Sequence, residues 1–136
     1  MECIVKNLRQ TAKFAKKFAS TLKGGERILL NGDLGVGKTT FVKYLAKYLK
    51  VKDEVTSPSF TILKQYCGKF NINHFDLYRI ENIDELIELG FDEYLDCDRN
   101  SILLIEWGER ANLKKSDFIN INIEKLDENT RKFRIE

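Results

Sequence analysis

Gly32-Asp33-Leu34-Gly35-Val36-Gly37-Lys38-Thr39-Thr40 decides how this chain is read. It fits G-x-x-x-x-G-K-[ST], with Gly32, Gly37, Lys38 and Thr39 at the fixed positions. Glycines let a backbone curl round a phosphate with its N–H groups pointing inward, where a Cβ would obstruct. A lysine in this place reaches the outer phosphates, and the hydroxyl after it is a ligand for magnesium. The helix that follows turns its positive end toward the anion. Roughly one random chain of this length in two hundred would meet the pattern, so its surroundings decide. Arg27-Ile28-Leu29-Leu30-Asn31, bounded by Gly24-Gly25, reads as a buried strand before the loop. Phe41, Val42, Leu45, Tyr48 and Leu49 form a helical apolar stripe after it. Strand, glycine loop and helix make this a nucleoside triphosphate site, with Gly32, Leu34, Gly35, Val36, Gly37, Lys38, Thr39 and Thr40 as its phosphate-binding residues.

The 136 residues suffice for one core, so residues 1–136 are expected to form a single domain. Hydrophobic residues at 43% and charged residues at 32% place the chain among ordinary globular proteins. There is no apolar run of membrane-spanning length and no signal peptide, which makes the cytoplasm the expected location. A net charge of +2, from 23 basic and 21 acidic residues, is too balanced to argue for gripping nucleic acid. Lys13, Lys16, Lys17 and Lys23 read as one solvated face, and Arg131, Lys132 and Arg134 as another. Cys3, Cys67 and Cys97 have neither metal-ligand spacing nor a CxxC pair and are expected to be small buried thiols in a reducing compartment.

Along the chain, Glu2 to Lys6 reads as a strand. Asn7 reads as a cap for a helix with Leu8, Ala12, Ala15, Phe18, Ala19 and Leu22 on its buried stripe. With the loop strand and its helix, the first half spells an α/β layer fold. Val55-Thr56-Ser57-Pro58-Ser59-Phe60-Thr61 carries its hydroxyls around the one proline of the chain. It reads either as a nucleotide-sensing loop or as a hydroxyl-rich turn. Thr61 to Cys67 and Phe70 to Leu77 read as a hairpin turning at Gly68-Lys69. Ile83, Leu86, Ile87 and Leu89 suggest a short helix ended by Gly90, with another helical turn over Phe91 to Leu95. Ser101-Ile102-Leu103-Leu104-Ile105-Glu106-Trp107 reads as a central strand covered on both faces. Ile119, Ile121 and Ile123, then Thr130 to Ile135, read as a closing antiparallel hairpin.

A carboxylate ending a central strand stands where open α/β sheets put ligand chemistry, so Glu106 is the expected magnesium-linked or water-orienting acid. Asp76 is the second candidate, against the plainer reading of an edge-strand aspartate that pairs with Arg79 or caps a turn. Asp33 reads as structural, and His74, the single histidine, as a hydrogen-bonded structural group rather than a base. Trp107 is either a core aromatic or an exposed contact. A guanine-reading NKxD motif and a DxxG segment are both missing, which favours adenine. No arginine-rich lid of a small-molecule kinase is present either.

Taken together, GDLGVGKTTF at Gly32, VTSPSFTI at Val55, HFDLYRI at His74 and LLIEWGER at Leu103 resemble the TsaE (YjeE) proteins of bacterial tRNA threonylcarbamoyladenosine synthesis. The resemblance runs over nearly the whole chain; Val36, Ser59 and Gly108 depart from the usual alanine, threonine and proline without removing a functional group. It implies a phosphate-loop NTPase-like, three-layer fold with a mixed parallel and antiparallel central sheet. It implies a magnesium-dependent ATPase, weak alone, that binds ATP and Mg2+. Lys38, Asp76 and Glu106 carry over as catalytic residues, Thr39 and Glu106 as metal contacts, and Trp107 joins the nucleotide-contacting set. Thr56 to Thr61 become a switch-like loop. The implied partners are the TsaD transferase and TsaB, with tRNA reached through that complex. Two other readings of the chemistry stand beside it: a small metabolite or nucleoside kinase, and a nucleotide-gated binding module that does not hydrolyse.

Overall fold

In the computed structural model, which describes residues 1–55 and 61–136, a seven-stranded sheet takes strands from both ends of the chain. In chain order the elements are β1 (Glu2–Val5), α1 (Leu8–Thr21), β2 (Arg27–Asn31), α2 (Lys38–Tyr48), β3 (Leu63–Cys67) and β4 (Asn71–Asp76). There follow α3 (Asp84–Glu88), α4 (Phe91–Leu95) and β5 (Ser101–Glu106), two short 3-10 turns (Gly108–Ala111 and Lys115–Asp117), β6 (Ile119–Lys125) and β7 (Arg131–Ile135). The strand order is β1-β7-β6-β2-β5-β4-β3. Pairing is parallel through β6, β2, β5 and β4 and antiparallel at both margins. The mixed sheet anticipated above is therefore observed, as are its strands, to within a residue or two at most ends.

Strand alternation divides the apolar residues between two cores. Ile28, Leu30, Ile72, Ile102, Leu104, Ile121 and Phe133 face α1 and α2. Leu29, Phe75, Leu77, Leu103 and Ile105 face α3, α4 and the turns after β5. Helices on both faces of the sheet give three layers. Asn7 caps α1 through its side-chain oxygen, which accepts the Gln10 N–H at 2.9 Å, while Gln10 returns the favour to the Lys6 N–H at 2.8 Å.

Two expectations need correction. The buried stripe of α1 is Thr11, Phe14, Ala15, Phe18 and Ala19, whereas Leu8 is exposed. A residue in the first turn precedes the helix's seat on the sheet, and Phe14 holds the central place instead. The thiols are not all buried: Cys67 is exposed and Cys3 and Cys97 are half-buried. Cys67 ends the edge strand β3 beside the turn, a position that leaves its side chain exposed.

Phe41, with Phe14, Phe18 and Phe133 around it at ring separations of 5.3–6.2 Å, pins α2 between α1 and the sheet. Phe41→Ala should lower stability by about 3–5 kcal/mol, the usual cost of deleting a fully buried ring. Urea unfolding measures this, and a loss below about 1 kcal/mol would mean that α2 is not anchored by this cluster.

Candidate functional site

The sheet register assembles the site. In the parallel pairs, Leu30 stands beside Glu106 and Glu106 beside Asp76, so β2, β5 and β4 end in one row. Glu106 shares its face with Ile102 and Leu104, and Asp76 with Ile72 and His74, the face that α2 covers. The glycine loop leaves β2 at that same end and delivers Lys38, the first residue of α2, opposite both carboxylates.

The loop needs its glycines at named points. Gly32 has φ +153° and lies so near Ile123 that an added Cβ would stand 2.7 Å from the Ile123 carbonyl oxygen. Gly37, with φ +115°, precedes α2 in a conformation that side chains rarely take. Open space surrounds the position of an added Cβ at Gly35 and at Gly37. The Val36 N–H donates to the Asp33 backbone carbonyl at 3.1 Å and closes a turn in the loop. The Val36 carbonyl accepts the Arg131 Nε–H at 2.8 Å. The Nη1 group of Arg131 spans the carbonyls of Asp127, Glu128 and Thr130. Arg131, read from the sequence as part of a solvated face, thus ties the loop to the β6–β7 turn. No motif signals this, because the contact joins residues 95 positions apart.

A cleft of about 390 Å3 opens between loop and sheet, lined by Leu34, Gly35, Gly37, Lys38, Thr39, Thr40, Asp76, Tyr78, Arg79, Glu106 and Trp107. All but two of the anticipated site residues line it. Gly32 and Val36 lie behind the loop, Gly32 offering its carbonyl to the Lys38 ammonium at 2.7 Å. Tyr78 and Arg79 are lining residues absent from the anticipated set, although both stand within three residues of Asp76 in the same motif. The switch-like reading of Thr56 to Phe60 lies outside the described residues.

Glu106 is buried, only 3% exposed, and its Oε2 is 2.6 Å from Nε2 of the fully buried His74. The sequence suggested a hydrogen-bonded histidine; its partner could be known only once β4 and β5 were paired. Asp76 accepts the Tyr78 N–H at 3.0 Å, so it caps a turn while also lining the cleft. Trp107 has left-handed backbone, φ +59°, a conformation costing about 1–2 kcal/mol for an L-residue. The turn lays its ring over the site: the Lys38 ammonium lies 4.2 Å from the Trp107 ring centroid. Tyr78 packs beside Trp107 at 4.9 Å, and the Arg110 guanidinium lies 5.6 Å from the Tyr78 ring. Trp107 is therefore neither pure core nor free surface, being a half-buried wall of the cleft.

Charge and burial are set against each other here. Burial pushes the Lys38 ammonium below its ordinary range, opposed first by Glu106 and then by Asp76. Burial likewise pushes the Asp76 carboxyl up, with Glu106 adding to the rise, while the Tyr78 amide, His74 and Lys38 pull it down. These features fit a magnesium-bound polyphosphate. The loop has room at Gly35 and Gly37 for oxygen atoms, and among the described residues the Lys38 ammonium rests on the Gly32 carbonyl and the Trp107 ring. The Glu106 carboxylate and the Thr39 hydroxyl would supply hard oxygen ligands of the kind magnesium takes.

Fold and cleft define an α/β protein of the phosphate-loop kind, with an acid at the end of the strand next to the loop strand. The chain belongs to the TsaE family, whose model, described as "Threonylcarbamoyl adenosine biosynthesis protein TsaE", matches residues 5–133. It is 45% identical over 137 residues to the tRNA threonylcarbamoyladenosine biosynthesis protein TsaE of Aquifex aeolicus (strain VF5), covering 98% of this chain and 94% of the relative. It is 43% identical over 126 residues to the TsaE of Rickettsia prowazekii (strain Madrid E), covering 90% of this chain and 85% of that one. Among solved structures, YdiB of Bacillus subtilis superposes with a TM-score of 0.74 at 27% identity, covering 99% of this chain and 83% of that one. No helix among the described residues is long and apolar enough to cross a membrane.

The raised Asp76 value makes a signed prediction. The folded carboxyl holds its proton more tightly than the unfolded one, whose ordinary value is 3.8. Its contribution to stability is therefore complete below that value and is lost as pH rises through the folded value. Above it, ionised Asp76 is a constant cost. Asp76→Asn should unfold at a higher temperature than the parent at neutral pH, the amide oxygen keeping the Tyr78 contact. The difference should shrink as both are acidified below the unfolded value. Equal or lower stability of the variant at neutral pH would show that the carboxylate is not the burden described.

Proposed function

We propose that this chain is a magnesium-dependent ATPase that works in the cytoplasm as an accessory of tRNA threonylcarbamoyladenosine formation. Its output is a conformational change in a complex with the TsaD transferase and TsaB, and tRNA is reached through them. The observation that carries the ATPase reading is the meeting of Lys38, Asp76 and Glu106 across one cleft from a glycine loop. Family membership carries the modification pathway.

Loop N–H groups and Lys38 bind and orient the phosphates, and the Trp107 wall keeps water off the lysine side. Thr39 and Glu106 would hold the magnesium ion, which when bound neutralises charge on the phosphate oxygens. Asp76, kept poorly solvated at the mouth of β4, adds negative charge beside that position. Near-balanced net charge suits a protein that acts through protein partners rather than by gripping tRNA itself.

Phosphate release from ATP and from GTP, with magnesium, alone and with TsaD and TsaB present, tests the proposal. Slow, ATP-selective release that changes on adding the pair and stops on chelation is the expected result. Bound nucleotide with no release under either condition would replace it with a gated binding module. Transfer of the phosphate to an added metabolite or nucleoside would replace it with a kinase. Within the same assay, Lys38→Ala should weaken nucleotide binding by about 10- to 100-fold, the worth of a hydrogen bond from a charged donor. Glu106→Gln should retain nucleotide while kcat falls by about 100-fold. Undiminished binding and turnover in Lys38→Ala would remove the basis for placing phosphate in this cleft.

A further inference from the structure

We propose that His74 is a positioning residue that fixes the Glu106 carboxylate, donating from Nε2 to Oε2 and leaving Oε1 for the metal side of the cleft. The inference rests on the reading of Glu106 given above and deepens it. Three observations carry it. His74 stands two residues before Asp76 on β4, on the same face, and its sheet partner is Leu104, two residues before Glu106. Its imidazole is fully buried, and the 2.6 Å contact with Glu106 is made away from solvent. Its other nitrogen, Nδ1, is buried with no partner among the described residues.

The unpartnered nitrogen settles which tautomer is present. A proton on Nδ1 would be a buried donor with no acceptor, whereas a bare lone pair there forfeits less. A ring that holds one proton therefore carries it on Nε2 and donates it to the carboxylate. Glu106 is correspondingly fixed, because a carboxylate buried to this degree must keep the buried donor that His74 gives it. Rotation of Glu106 toward the cleft would abandon that donor, and rotation away would withdraw the acid from the row it shares with Asp76. Metal-ligating carboxylates are held in this manner by an outer partner, whose loss commonly costs 10- to 100-fold in metal affinity or activity (here an expectation of about that size). No pattern in the sequence gives His74 this role, since the pair is 32 residues apart.

The chain has a single histidine, so one imidazole spin system reports on the bond. Long-range proton–nitrogen NMR of the whole protein should show Nε2 protonated and Nδ1 bare, with the Nε2 resonance moving in Glu106→Gln. An Nδ1–H tautomer, or a spectrum indifferent to Glu106→Gln, overturns the proposal. The kinetic arm compares His74→Gln, whose amide can donate from near the Nε2 position, with His74→Leu, which fills space without a donor. His74→Leu should lose about 10- to 100-fold in kcat and require more magnesium for half-maximal rate, with KM for ATP changed by about twofold or less. His74→Gln should recover most of the loss. Equal losses in both variants, or a rise in KM matching the fall in kcat, would assign His74 a merely structural part and overturn the proposal. Should His74→Leu fail to fold, the spectrum and the magnesium dependence of His74→Gln decide. Absence of phosphate release by the parent protein would sink the ATPase reading alone. The imidazole spectrum, and a magnesium titration of bound ADP read by Trp107 fluorescence, would still judge His74.

Discussion

Parallel pairing of β5 with both β2 and β4 in one register is the constraint on which the rest depends. It sets Leu30, Glu106 and Asp76 side by side, and a slip of one residue would send Glu106 into the apolar core beneath α3 and α4. The apolar pattern of β5 does little to prevent that slip, because all six of its residues are buried and both faces are greasy. The polar residues enforce it instead. Among the described residues Glu106 finds its donor on the face that carries His74, and a buried carboxylate without one is heavily penalised. The same pair that shapes the site therefore selects the register of the sheet.

Around this row the phosphate loop is built stiff rather than loose. Gly32 lets the backbone touch Ile123, the Val36 N–H closes a turn on Asp33, and Arg131 clamps the Val36 carbonyl from the far hairpin. A loop fixed before its ligand arrives spends little binding energy on being ordered. The closing hairpin β6–β7 thus does more than complete the sheet, because its turn holds the other end of that clamp.

Much of this was legible from the residues alone. Periodicity and the glycine loop gave the strands, the helices and the cleft's near wall, since those depend on local spacing. Glu106 could be picked out because it ends an apolar strand, and Asp76 as the second acid, in the neighbouring strand, even though it also caps a turn. What stayed hidden depends on pairing across long separations. Arg131 looked like one of several surface cations, and the partner of His74 was invisible until β4 lay beside β5. Leu8 misled because hydrophobic periodicity cannot say where a helix first meets the sheet. Cys67 misled because a small thiol is usually inside, and the edge of a sheet is an exception.

The site is also poised by what it lacks in itself. Two carboxylates face one ammonium, all taken partly out of water, so Glu106 raises the cost of ionising Asp76 while both acids favour the charged lysine. Such a set is costly when alone and improves when a divalent cation and a polyanion enter together: the cation relieves the carboxylates and the anion relieves the lysine. Either species by itself relieves one part and burdens the other. An anion without a cation would sit against Glu106 and Asp76, and a cation without an anion against Lys38. On the proposed reading, the charge arrangement would favour a metal–nucleotide pair over its separate components, a selectivity that follows from burial and sign without a base-reading contact.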